Sequence, residues 1–93
     1  MTKNSLNEKI LLIRIIGTLE AIKGGGLSID ESERLLFSPR VIRQLKEKNC
    51  NTIIIHILEK GCELENIASL LPQELLKSIE EMKQEALEEM KKL

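Results

Sequence analysis

Ninety-three residues make one small domain, and a chain of this length buries only about 60–65 % of its unfolded surface. Lys and Arg number 14 against 15 Asp and Glu, so the net charge of −1 steers the chain toward neither nucleic acid nor an anionic membrane. Hydrophobic residues are 42 % of the sequence but Phe37 is the only aromatic one, so the core must be Leu and Ile with some Met.

The N-terminus carries Lys3, Asn4, Ser5, Asn7 and Glu8 ahead of the first apolar run, which is not the pattern of a secretory signal. The run itself is too short for a membrane span and contains Glu8, Lys9, Arg14 and Glu20. Cys50 and Cys62 form no spaced disulfide framework and fit a reducing compartment. The expectation is a cytoplasmic protein of bacterial type.

Residues 6–22 predict a central helix. Ser5 and Glu8 have the spacing of a capping box at its start, and Lys23-Gly24 has the character of its end. On a helical wheel Leu11, Leu12, Ile15, Ile16, Leu19 and Ile22 form one broad apolar face. Leu6, Ile10, Ile13, Gly17 and Ala21 form a second, narrower strip. Asn7, Arg14 and Thr18 separate the two faces on one side, Lys9 and Glu20 on the other. A helix that is apolar on two sides is buried on two sides. The broad face is therefore assigned to the core under the next four helices. The narrow strip is assigned to the C-terminal helix or to a second subunit, with a homodimer favoured. Gly24, Gly25 and Gly26 follow a helix and lack a Walker pattern, so they are read as a joint and not as a phosphate cradle.

Ser28 and Glu31 form a second capping box, opening a helix over 29–37. Ser38 then caps a third helix with Pro39 at its first position, running to about Lys48. After the turn Asn49-Cys50-Asn51, the β-branched run 52–58 has strand propensity. A lone strand has no partner here, and Glu59-Lys60-Gly61 resembles a helix stop, so a short buried helix is predicted. Leu64, Ile67, Leu70 and Leu71 give a two-turn amphipathic helix. Pro72 opens the last helix, which extends to near Leu93. Its apolar stripe is Leu75, Ile79, Met82, Ala86, Met90 and Leu93, widened by Leu76 and Leu87. Lys77 with Glu81, Glu80 with Lys83 and Glu88 with Lys92 support its outer side.

Chemistry-bearing residues are sparse. His56 lies midway between Cys50 and Cys62, and Glu59 or Glu63 can complete a zinc ligand set, but the close Cys pairs of structural zinc sites are absent. His56, within an apolar run, is read as a packed or interface histidine. No base–orienter–oxyanion arrangement surrounds either thiol. The expectation is a non-enzymatic chain without cofactor or metal.

The segment ERLLFSPRVIRQLKEK, residues 33–48, resembles the helix-turn-helix of the mercury-resistance-regulator class through Ser38, Pro39, Arg40, Ile42 and Arg43. That resemblance implies that Arg40 and Arg43, with Lys46 further along, face DNA, as arginines on a capped recognition helix can. Leu36 occupies the position where such turns usually carry glycine. Residues 27–48 hold five basic and four acidic side chains, a weak footprint for DNA. Across most of its length, through SIDESERLLFSP and ELENIASLLPQEL, the chain resembles a small family of uncharacterised bacterial proteins of the domain-of-unknown-function type. That resemblance implies no activity.

The combined expectation is an all-α bundle of five or six helices around an apolar N-terminal helix, with a long C-terminal helix. Its function is expected to be protein interaction, as a homodimeric adaptor, inhibitor or immunity-type factor. DNA binding by residues 29–48 is the alternative.

Overall fold

The computed structural model describes residues 3–93, with side chains from Leu6 onward. Six α-helices follow one another: α1 (Lys3–Lys23), α2 (Ile29–Leu35), α3 (Pro39–Glu47), α4 (Thr52–Gly61), α5 (Leu64–Leu70) and α6 (Leu75–Lys92). A 3-10 turn, Pro72–Glu74, precedes α6. No strand occurs among the described residues. The expectation of five or six helices is met coarsely. Four helices form the body, and α2 and α5 are seven-residue connectors.

Local chemistry sets the boundaries. The α2 capping box is complete: the Glu31 amide donates to Ser28 Oγ (3.0 Å) and the Ser28 amide donates to Glu31 Oε1 (2.9 Å). Ser38 caps α3 by accepting from the Val41 amide (3.2 Å), and Pro39 follows it. The end of α1 is a Schellman turn, with Gly26 donating to Ala21 and Gly25 to Ile22. The left-handed residue is Gly25, at φ +80°, one position beyond the predicted glycine. The end of α3 repeats this turn with Asn49 at φ 58°, the non-glycine residue type most tolerant of that region.

Other predicted boundaries are corrected. Helix α1 begins at Lys3, so Ser5 is not its cap, and the Ser5 side chain lies outside the described residues. Glu8 instead accepts the Asn51 amide at the start of α4 (2.9 Å). Helix α2 stops at Leu35, leaving Phe37 in the α2–α3 turn. Pro72 opens the 3-10 turn and not α6 itself.

The β-branched run is a helix, and the most enclosed one. Ile54, Ile55, Ile57, Leu58 and Gly61 are all buried in α4. Fully burying an aliphatic side chain contributes roughly 1.5–3 kcal/mol, enough in sum to override weak helix propensity. Helix α6 lies antiparallel on α1, the most extensive helix–helix contact. Leu12, Ile15 and Leu19 thus share a core with Ile79, Met82 and Ala86. The broad face of α1 is therefore core as expected, but α6 covers it more than the intervening helices do. Leu76 and Leu87 were assigned to the α6 stripe and are exposed on its flanks.

Phe37 is 1 % exposed, with its ring against Gly61. Gly61 is the last residue of α4, and its role is close approach, not a left-handed stop: a Cβ there would overlap the ring. Gly61→Ala is expected to lower stability by about 1–3 kcal/mol, the usual cost of overpacking. Thermal unfolding followed by circular dichroism checks this, and adding Phe37→Leu should recover part of the loss.

Candidate interaction surface

Three α1 strip residues project from the outer side of the helix, away from α6. Leu6 is 53 %, Ile10 42 % and Ile13 58 % exposed, although all three are large aliphatic residues. Gly17 continues the strip, and among the described residues nothing from outside its own turn of helix lies within 4 Å of where its Cβ would be. Ala21 is half-buried. Helix α6 does not cover this strip. Beside its C-terminal half a groove opens between α1 and α2, lined by Arg14, Gly17, Thr18, Ala21, Leu27, Leu35 and Leu36. Leu35, 67 % exposed, widens the apolar surface there.

A polar junction and two ion pairs fix which side of α1 faces outward. Asn51 Nδ2 donates to Glu89 Oε2 (2.7 Å), and the Asn51 side-chain oxygen accepts the Ile53 amide (2.8 Å). With Glu8 on the Asn51 amide, this ties α1, α4 and α6 together at one end. At the other end Lys23 pairs with Glu80 (2.8 Å) and Lys83 with Glu20. Glu89, only 6 % exposed, is a structural carboxylate whose role helical periodicity does not signal.

The recognition-helix candidates Arg40, Arg43 and Lys46 are exposed along α3. Lys46 lies 3.8 Å from Glu59 of α4. Leu36 has φ −147°, so this turn has no need of glycine there. The chain instead anchors the turn through Phe37. Sequence reasoning also missed Leu70 (77 % exposed), Leu71 and Leu76, which stand uncovered where α5 meets α6. Their amphipathic spacing assigned them inward, and the Pro72–Glu74 turn rotates the chain before α6 begins.

His56 is exposed on α4, which corrects the packed alternative for it and leaves the interface one open. Residues 54, 55, 57 and 58 take the inward positions, leaving 53, 56, 59 and 60 outside. His56 and Cys50 line one groove, with Lys46, Asn49 and Glu59. Cys62 lines another with Glu59 and Glu63. Among the described residues no three His, Cys, Asp or Glu side chains are placed to hold a metal ion. Burial pushes the Cys50 thiol above its usual range, and Glu8 adds to the shift. Burial does the same for Cys62, reinforced by Glu33, Glu63 and Glu59. Both shifts run opposite to the activation of a nucleophilic cysteine. No helix among the described residues is long and apolar enough to cross a membrane.

A family model described as "Protein of unknown function (DUF3969)" matches residues 2–93. The chain belongs to the DUF3969 family. No curated protein and no solved structure matches it. Membership in DUF3969 spans nearly the whole chain, so the α1 strip, the Asn51 junction and the α3 cations all lie within the matched region.

The raised thiols lead to a direct expectation. Alkylation of native protein by iodoacetamide at pH 7 should be several-fold slower than for a free thiol, and should rise only at clearly alkaline pH. Thiolate absorbance near 240 nm during a pH titration checks it; appreciable thiolate at neutral pH would contradict the burial argument.

Proposed function

We propose that this protein is a non-enzymatic protein-interaction module that works as a homodimer, with the outer strip of α1 as the subunit contact. The observation that carries this reading is the contiguous exposure of Leu6, Ile10 and Ile13 beside a glycine that packs against none of the other described residues. Isolated surface leucines are ordinary, whereas an aligned apolar strip running into an apolar groove marks a contact surface. Adaptor or inhibitor activity toward another protein follows from the same class. The raised thiols support the non-enzymatic side of the proposal.

DNA binding is the second reading, favoured by the exposed row Arg40, Arg43 and Lys46. The pairing of Lys46 with Glu59 and the near-neutral charge weaken it, because binding to duplex DNA draws mainly on phosphate neutralisation.

Two experiments separate the readings. Light scattering should give twice the chain mass for the parent protein, and the chain mass alone for Ile13→Glu, whose helical signal and melting should match the parent's within about 0.5 kcal/mol. A strictly monomeric parent at high concentration would overturn the proposal. A low-salt gel-shift assay should show no complex dependent on Arg40 or Arg43. A shift abolished by Arg40→Ala/Arg43→Ala would put the DNA reading first.

A further inference from the structure

We infer that two copies meet through α1 in antiparallel, two-fold register, with Leu6 of each copy against Ala21 of the other. This rests on the homodimer proposed above and specifies how its surfaces fit.

Side-chain size along the strip fits this register. Two large residues, Leu6 and Ile10, are four positions apart, and two small ones, Gly17 and Ala21, are also four apart. Reversing one strip on the other sets Leu6 opposite Ala21 and Ile10 opposite Gly17, at both ends by symmetry. Ile13 then lies next to the axis, beside its own copy. The open space at the Gly17 Cβ position receives the partner's Ile10. The partner's Leu6 reaches the groove where Leu27 and the exposed Leu35 extend the apolar surface. A parallel pairing would stack Leu6 on Leu6 and leave Gly17 facing Gly17, with a gap at one end.

Charge points the same way. Lys9 and Glu20 share one flank of the strip, and in a two-fold antiparallel pair that flank faces its own copy. Lys9 of each chain then comes level with Thr18 of the other, two residues from Glu20, an axial offset of about 3 Å. Two symmetric Lys9–Glu20 pairs result. Glu20 is exposed and, with its second oxygen, can meet both Lys83 of its own chain and the incoming Lys9. The opposite flank brings the two Arg14 side chains together; both are exposed and extend into water. In a parallel pair Lys9 would instead face the flank that carries Arg14.

From Leu6 to Ala21 the strip is roughly 23 Å long, so one helix pair plus the α2 groove comes near the ~1,000 Å² lower bound of specific interfaces. A reversible dimer is expected, not an obligate one.

Disulfide trapping tests the register. Leu6→Cys and Ala21→Cys proteins, full length and with native cysteines retained, are mixed in a glutathione redox buffer. Linked peptides are then mapped by mass spectrometry. A disulfide needs Cα atoms within about 7 Å, whereas parallel and antiparallel pairings move these positions relative to each other by roughly 22 Å. The 6–21 link should exceed the 6–6 link by about tenfold or more. A dominant 6–6 link, or a dimer by light scattering that yields neither link, would overturn the antiparallel register while leaving the homodimer standing. A monomeric parent would remove both. Because Leu6 is exposed in the monomer, its substitution leaves the core intact; if Ala21→Cys lowers the helical signal, Ile10→Cys against Gly17→Cys reads the same register.

Discussion

The Asn51 junction is the contact on which the arrangement of helices depends. One asparagine caps α4, donates to Glu89 of α6 and offers its own amide to Glu8 of α1. Charge-assisted bonds of this kind are roughly twice as strong as neutral ones, and the N-cap itself contributes about 1 kcal/mol. The larger effect is geometric. Once Glu8 is held at the start of α4, and Lys23 and Glu20 are paired with Glu80 and Lys83, the rotation of α1 about its axis is fixed. Leu12, Ile15 and Leu19 must then face α6, and the Leu6–Ile13 side must face outward. The exposed strip follows from the same polar contacts that seat the core.

The aliphatic core imposes the second constraint. With one aromatic residue in the chain, bulk has to come from many Ile and Leu side chains, and α4 supplies four buried ones from ten residues. Such a helix is stable only when enclosed, so α3, α6 and the Phe37 turn gather round it. Phe37 fits because Gly61 yields the space of a side chain. With α4 in the middle, α3 and α6 lie against it, and α1 becomes a flanking helix on α6 with one free side.

Much of this was legible in the sequence. The Ser28–Glu31 and Ser38–Pro39 signals are local and were read correctly, because a cap depends only on its own first turn. The broad face of α1 and the Ile79–Met82–Ala86 stripe were legible from periodicity, which reports a continuous apolar face whatever covers it. Three kinds of feature were not legible. Periodicity does not say which of two apolar faces is covered, so the exposure of Leu6, Ile10 and Ile13 needed the fold. It does not register short turns that rotate the chain, so Leu70, Leu71 and Leu76 were assigned inward. It also cannot identify polar residues recruited to long-range junctions, which is why Glu8 reads as part of a local cap and nothing in the sequence singles out Glu89. The packed alternative for His56 fails for a related reason: a run of β-branched residues hides the helical phase that turns position 56 outward.

Gly17 joins these threads. A glycine within an exposed helix costs roughly 1 kcal/mol relative to alanine. Among the described residues of its own chain nothing offsets that: no backbone approaches, no side chain fills the space, and its φ is not in the left-handed region. Gly61, by contrast, answers to Phe37, and Gly25 to the Schellman turn. A monomer would be more stable with alanine at position 17, so its folded state supplies no physical reason for glycine there. A reason arises once a large side chain from outside must come close to the helix backbone at that level, and the neighbouring Ile10 is a side chain of that kind. The position that folding leaves unexplained is therefore the one that association through α1 would explain.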